Sequence, residues 1–285
     1  MPTNAEEVII KHDRIHCLVP NLFRSQPKGV RRQPIAVDYD YNENTKVMIR
    51  GYESLGADDL LYLQGMLALC AAHKGKPIRQ PKSRVKQADH LWVSLDPKEG
   101  AVNQEFMSIT FKIGTLLSLV GLSIGKMNRD SLKRSLMRMS NITIFMEQKD
   151  KKSMWSSHIL GFSRQGKELT VALNLAITQS VLGGIYTTIP IKEIREIRHA
   201  PARLLHQRLC GIIDPGSTHC FSTDKLVEYV YGDTETTKLT YQGRCDRKTA
   251  VKKGMKEIEN IGWEIEEEDG IFRVARPELF EDSAT

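Results

Sequence analysis

The sequence predicts an α+β protein in which one order of elements, helix, helix, basic helix, hairpin, is used twice. Two observations carry this expectation. Residues 109–140 read as two helices around a tight corner: ITFKIGTLLSLVG, a Gly-containing turn at 121–125, then NRDSLKRSLMRMS. β-rich runs follow, ITIFME, SSHILGF and KELTVALN, with a turn at Arg164–Gly166. The same order returns after Gly183–Gly184 and Pro190. IKEIREI and PARLLHQRLCGII read as helices, a basic helix runs from about Asp246 to Asn260, and Asp269-Gly270 is a strong two-residue hairpin signal. Helix, turn, basic helix and hairpin is the order of a winged helix-turn-helix unit. The expectation is therefore two tandem winged helix-turn-helix domains, 51–184 and 185–285, behind an N-terminal arm at 1–50. The repeat is architectural, since the halves show no clear identity.

In the arm, Lys28, Arg31 and Arg32 sit between Pro27 and Pro34. The alternation Ile35, Val37, Tyr39, Tyr41, then Val47 and Ile49, predicts a hairpin around Asn42–Asn44. GADDLLYLQGMLALCAAHKG is a helix with Asp58 and Asp59 in its first turn, where negative charge suits the dipole. Leu60, Leu63, Leu67 and Cys70 form its apolar stripe and Gly75 ends it. Lys74 to Lys86 holds six basic residues, two prolines and no acid, and reads as an exposed loop. In the second half, Pro201 suits a first helical position, Asp214-Pro-Gly216 stops that helix, and Thr223–Tyr231 is a short helix.

Bulk numbers narrow the function classes. The 285 residues are 40% apolar and 27% charged with a net charge of +6, a globular composition whose basic excess favours a polyanionic partner. Five cysteines at irregular spacing do not form a disulfide framework. The start MPTNAEEVII lacks the pattern of a secretory signal. The uncharged run Ile113–Gly125 has 13 residues, short of the roughly 20 of a membrane span. A reduced, cytoplasmic protein without membrane contact is expected. The chain has no phosphate-binding G-x-x-x-x-G-K-[ST], no H-x-H and no C-x-x-C. We therefore expect no enzymatic activity, no catalytic residue and no cofactor.

The two basic helices carry the binding chemistry. Lys/Arg on a helix face release counterions from a duplex, and a recognition helix can meet guanine edges in the major groove. Residues 238–256 hold seven basic side chains against one acid. With Val251, Met255 and Ile258 inward, Thr249, Lys252, Lys253 and Lys256 project outward, and Arg244, Arg247 and Lys248 sit at the helix start. In the first unit Leu132, Leu136 and Met139 share the inner face, leaving Lys133, Arg134 and Arg138 for DNA. The bland alternative is a solvated basic face. Against DNA contact stand residues 257–269, with seven acids and no base. If Glu264, Glu266 and Glu268 line one face of the wing, that face cannot lie on phosphate.

The stretch Ala202–Cys220 also raises a zinc reading through His206, Cys210, His219 and Cys220. Adjacent His219–Cys220 is not a usual chelating spacing, and His206 and Cys210 lie at the edge of the stripe Leu205, Leu209, Ile212. Packing is the preferred reading, for these as for His12, His16 and Cys17, and no metal is expected.

Three long motifs then carry a resemblance. HDRIHCLVPNLFR at 12–24, LGADDLLYLQG at 55–65 and ARLLHQRLCGIIDPG at 202–216 resemble the RepC replication initiators of IncQ-type plasmids, as do NIGW at 260–263 and the pair Arg276-Pro277. The resemblance covers nearly the whole chain, while 74–110 and 140–160 diverge from the pattern. It implies an initiator that binds direct repeats (iterons) in double-stranded DNA at a plasmid origin. Such proteins promote opening of a nearby A·T-rich segment and recruit a plasmid-encoded replicative helicase. It further implies two winged-helix domains, the C-terminal one being the main iteron reader, and a possible homodimer. Arg247, Lys248 and Lys252 fall where that family also has basic residues, whereas Cys245 and Asp246 stand where more basic groups are expected. The rival expectations are a winged-helix transcriptional regulator, an origin-nicking enzyme or metal-dependent nuclease, and a basic module that binds protein through the acidic wing.

Overall fold

The computed structural model describes residues 8–26, 32–73, 76–78, 86–232 and 239–279. Lys28, Arg31, Gly75, Lys238 and most of the loop Lys74–Lys86 lie outside the described residues. The chain opens with β1 (Ile9–Asp13), α1 (Arg14–Leu18), β2 (Ile35–Asp40) and β3 (Thr45–Gly51). Next come α2 (Ala57–His73), β4 (Lys76–Ile78), α3 (Lys86–Ser94), β5 (Lys98–Glu99), β6 (Phe106–Lys112), α4 (Ile113–Leu119) and α5 (Lys126–Met139). Then β7 (Ile142–Gln148), β8 (Ser153–His158), β9 (Leu160–Gln165), β10 (Glu168–Leu173) and α6 (Leu175–Val181) complete the first half. The second half is β11 (Tyr186–Pro190), α7 (Ile191–Glu196), α8 (Ala200–Ile212), β12 (Thr218–Ser222), α9 (Thr223–Tyr231), α10 (Tyr241–Glu259), β13 (Glu264–Glu268) and β14 (Ile271–Ala275).

One arrangement occurs twice. In the first half, α2, β6, α4, α5 and the hairpin β9–β10 come in that order, with β4, α3 and β5 inserted after α2 and β7–β8 after α5, and β10 lies between β6 and β9. In the second half, α8, β12, α9, α10 and the hairpin β13–β14 do the same, with β14 between β12 and β13. The Asp269-Gly270 turn has positive φ at both residues, 49° and 77°, as a primed two-residue turn requires. Close helix contacts rest on glycines. A side chain at Gly65 of α2 would meet Val120 and Leu116 at 2.5 and 2.7 Å, so Gly65 lets the α4 region approach. A Cβ added at Gly254 of α10 would lie 3.2 Å from the backbone nitrogen of Ala202 in α8, tighter than ordinary contact. Buried apolar residues form one continuous cluster through both halves.

The stretch read as an arm is built into this body. The hairpin forms as its alternation predicts, with Asn42 Oδ1 accepting from the Asn44 and Thr45 amides at its tip. Its strands then extend a five-stranded sheet, β2-β3-β7-β8-β5, in which Val47 pairs with Met146 and Ile49 with Ile144. A lone hairpin cannot cover its apolar face, and this sheet buries Val37, Val47 and Ile49. Strand β1 pairs with β11 across the sequence, Ile10 opposite Ile189. The runs ITIFME and SSHILGF also differ from a simple hairpin after α5. SSHILGF splits at Ile159 into β8 and β9, so β7–β8 join the five-stranded sheet and only β9–β10 flank α5. Helix α10 begins at Tyr241, earlier than Asp246, because the Thr240 hydroxyl caps it by accepting from the Gly243 amide at 3.2 Å.

Carboxylates tie each third helix to the start of its first helix, with polarity reversed between the halves. Asp59, fully buried at the start of α2, accepts from Arg138 of α5 at 2.6 and 3.1 Å, from Arg32 at 2.7 Å and from the Gly56 amide at 2.8 Å. In the second half the carboxylate sits on α10. Glu257 accepts from the Arg198 and His199 amides at the start of α8, and His199 Nδ1 lies 2.7 Å from it. Arg203 of α8 reaches Asp58 of α2 at 3.5 Å, so the two helix starts meet. The C-terminal ends of α5 and α10 are thus anchored to one region of the body.

Candidate nucleic-acid interface

Helix α5 presents its charge from its N-terminal end. Leu132, Ser135, Leu136 and Met139 face inward, and Lys126, Arg129, Lys133 and Arg134 are exposed. Lys126, Arg129 and Lys133 follow the i, i+3, i+7 spacing of one helix stripe. They line a groove between α5 and the hairpin β9–β10, together with Arg164 of β9 and a floor that includes Ile113, Leu132, Phe162 and Leu169. Among the described residues, no carboxylate pairs with Lys126, Arg129, Lys133 or Arg134. Arg138, expected in this set, is committed elsewhere. Its guanidinium is spent on buried Asp59 and its side chain is only 12% exposed, so it holds α5 to α2.

On α10 the expected outward residues Thr249, Lys252, Lys253 and Lys256 are exposed, as are Arg244 and Lys248. Val251, Gly254, Met255 and Ile258 form the inner face. Several of these cations have partners within the chain. Lys248 Nζ lies 2.7 Å from Asp224 of α9, and Lys252 Nζ lies 2.5 Å from Glu267 of β13. Arg247, half-buried, stacks 4.4 Å over the Tyr231 ring, and Arg244 donates to the Leu239 carbonyl at 2.9 Å. Among the described residues Lys253 and Lys256 have no such partner. The acidic stretch resolves into two faces. Alternation places Glu264, Glu266 and Glu268 on one side of β13, and Ile265 and Glu267 on the side turned to α10.

Lys126, Arg129 and Arg164 were not among the sequence candidates. The stripe spacing was readable once the helix was started at Lys126 rather than Asn128. Arg164 had no local signal, since only the tertiary pairing of β9 with β10 brings it beside α5.

The histidine–cysteine stretch is a packing and charge hub. His206 and Cys210 are buried on α8, whereas His219 and Cys220 are exposed on β12, so the four zinc candidates are not brought together. Glu193, His206 and Cys210 do cluster. His206 Nε2 lies 2.6 Å from Glu193 Oε2, a hydrogen-bond distance, whereas two ligands held at about 2.1 Å on a tetrahedral ion stand more than about 3 Å apart. Burial pushes the His206 imidazole down, but Cys210 and the Glu193 carboxylate outweigh it and hold its pKa up at about 10. His206 and Glu193 thus favour each other's charged forms, a pair that a metal ion would have to displace. Both close contacts of His206, to Glu193 and to Cys210 Sγ at 3.7 Å, use Nε2, so no relay runs from cysteine through histidine to carboxylate. Trp263 Nε1 also donates to Glu193, at 3.3 Å. The second cluster behaves likewise. Burial lowers His12 to about 4, leaving it neutral, with its Nδ1 3.4 Å from Cys17 Sγ, and His16 is hydrogen-bonded to Asp13.

With this geometry in view, the chain matches the replication protein C (RepC) family over residues 5–278. The chain belongs to the RepC family. RepC is thus the setting in which the two basic helices are to be read, a family of replication proteins. No curated protein matches the chain. Two solved structures share the fold. One, of selenomethionine derivatives of domains 2 and 3 of RctB, aligns with a TM-score of 0.55 at 10% identity, covering 92% of this chain and 97% of that one. Another crystal structure of RctB domains 2–3 aligns at 0.52 and 10% identity, covering 89% and 95%. The RepC chain therefore carries a mixed helix-and-sheet architecture over nearly its full length. Among the described residues no helix is long and apolar enough to cross a membrane.

Proposed function

We propose that this RepC-family chain is a non-enzymatic initiator that binds double-stranded DNA through two winged helix-turn-helix units. The repeated order helix, strand, helix, helix, hairpin supports that fold, with the third strand central in each small sheet. In such a unit the third helix enters the major groove and the hairpin flanks it. The observation that carries the reading is the groove between α5 and β9–β10. Its four cations, Lys126, Arg129, Lys133 and Arg164, have no carboxylate partner among the described residues and stand where a winged helix meets phosphate. Helix α10 offers Thr249, Lys253 and Lys256 directly, and Lys248 and Lys252 once their partners release them.

Family membership supports replication as the setting. The finer roles extend this reading: recognition of iterons at an IncQ-type plasmid origin, promotion of local opening and recruitment of a replicative helicase, in the cytoplasm. Base-edge contacts from α10 and α5 would specify sequence, and phosphate contacts would fix register. A Lys133→Ala, Arg134→Ala double variant tests the placement. Removing two phosphate contacts is expected to weaken binding to every duplex and to flatten the dependence of log affinity on log salt by about 2 units. Unchanged affinity and slope would take α5 out of the interface.

A further inference from the structure

The two basic helices differ in how their charge is balanced. The exposed cations of α5 face solvent without a carboxylate partner among the described residues. On α10, Lys248 and Lys252 lie one turn apart on the same stripe, and each is held by a flanking element. Asp224 at the start of α9 holds Lys248 at 2.7 Å, and Glu267 on the inner face of β13 holds Lys252 at 2.5 Å. Both lysines remain about half exposed, 47% and 51%, so an incoming anion can reach them.

We infer that Asp224 and Glu267 are intramolecular competitors of DNA phosphate, setting the affinity of α10 by occupying the lysines it would use. The inference rests on the duplex-binding reading above and assigns the two carboxylates a role in it. A phosphate arriving at this stripe must displace a carboxylate already in place, and the freed carboxylate then sits beside the DNA. Among the described residues no carboxylate holds the exposed cations of α5, although Asp130 lines the same groove, so the first unit supplies the salt-dependent grip and the second is held back by its own side chains. Exposed ion pairs are weak, so the restraint is modest and DNA can overcome it.

The test uses the full chain and fluorescence anisotropy on two duplexes, one with the origin repeat and one scrambled. Glu267→Gln is expected to tighten binding to both by about two- to fivefold, the scale of one exposed ion pair. It should also steepen the salt dependence by up to about one unit, because Lys252 then neutralises a phosphate. Glu266→Gln is the control. It removes the same charge from the other face of β13, where Glu266 pairs with Arg273 at 3.2 Å, and should change little. Lys252→Ala should cost more affinity in the Glu267→Gln background than in the unaltered chain. Equal gains from Glu266→Gln and Glu267→Gln would reduce the effect to long-range charge and overturn the inference. No gain from Glu267→Gln would overturn it too while leaving duplex binding standing. A chain that binds neither duplex would remove both this inference and the reading beneath it.

Discussion

Replacing Asp59 by alanine is expected to destabilise the chain by about 3–5 kcal/mol, the usual cost of removing one partner from a buried ion pair. Asp59 is fully buried and is the shared acceptor of Arg32, Arg138 and the Gly56 amide. Without it, two guanidinium groups lose their counter-ion in a partly dry setting, and the first turn of α2 loses an acceptor. The loss falls on the strut between α2 and α5, so the placement of α5 should suffer with stability. Asp59→Asn keeps the shape and one acceptor oxygen and should cost less. Urea denaturation followed by circular dichroism measures both. A change under about 1 kcal/mol for the alanine variant would mean that the arginines find solvent instead, as exposed pairs do.

Arg276→Ala is expected to cost a similar amount, about 3–5 kcal/mol, through a different mechanism. Arg276 follows β14 and is 3% exposed. It donates to the Ile213 carbonyl at 2.9 Å, the Cys210 carbonyl at 3.0 Å and Thr187 Oγ1 at 3.2 Å, and also to the Thr188 carbonyl. One side chain thereby fastens the end of the second unit to α8 and to β11, the strand that pairs with β1. Its charge also helps keep Glu193 ionised, and Trp263 packs beside it at 5.7 Å. Truncation leaves several buried acceptors without a donor and opens a void. Lysine should rescue only part of the loss, because a single ammonium cannot reproduce the planar fork. The same denaturation experiment decides it, and full rescue by lysine would show that charge alone matters.

Local patterns in the sequence carried much of the architecture. The hairpin at 35–51, the helix with Asp58 and Asp59 in its first turn, the pair around 121–125 and the Asp269-Gly270 turn all follow from spacing, caps and turn residues. Long-range pairings did not. Nothing local in IIKHD states that it pairs with YTTIP almost 180 residues later, and the split of SSHILGF into strands of two sheets depends on which neighbours accept each half. The candidate binding face shows the same division. The exposure of Lys133, Arg134, Lys252, Lys253 and Lys256 followed from the apolar stripe on each helix. The fate of Arg138 did not, because its partner Asp59 lies 79 positions away. The pairing of Lys252 with Glu267 was equally hidden, since the acidic stretch had to fold back before its alternation could aim one carboxylate at α10. A helix period tells which side chains point outward. It does not tell which of them meet an opposite charge after folding.

The most direct test of DNA reading is the equilibrium affinity of the full chain for a duplex carrying the direct repeat of its origin, against a scrambled duplex, by fluorescence anisotropy at near-physiological salt. A preference of about a thousandfold or more is expected of a specific reader. Equal, steeply salt-dependent affinity for both duplexes would contradict it, and would mean that α5 and α10 supply charge without recognition.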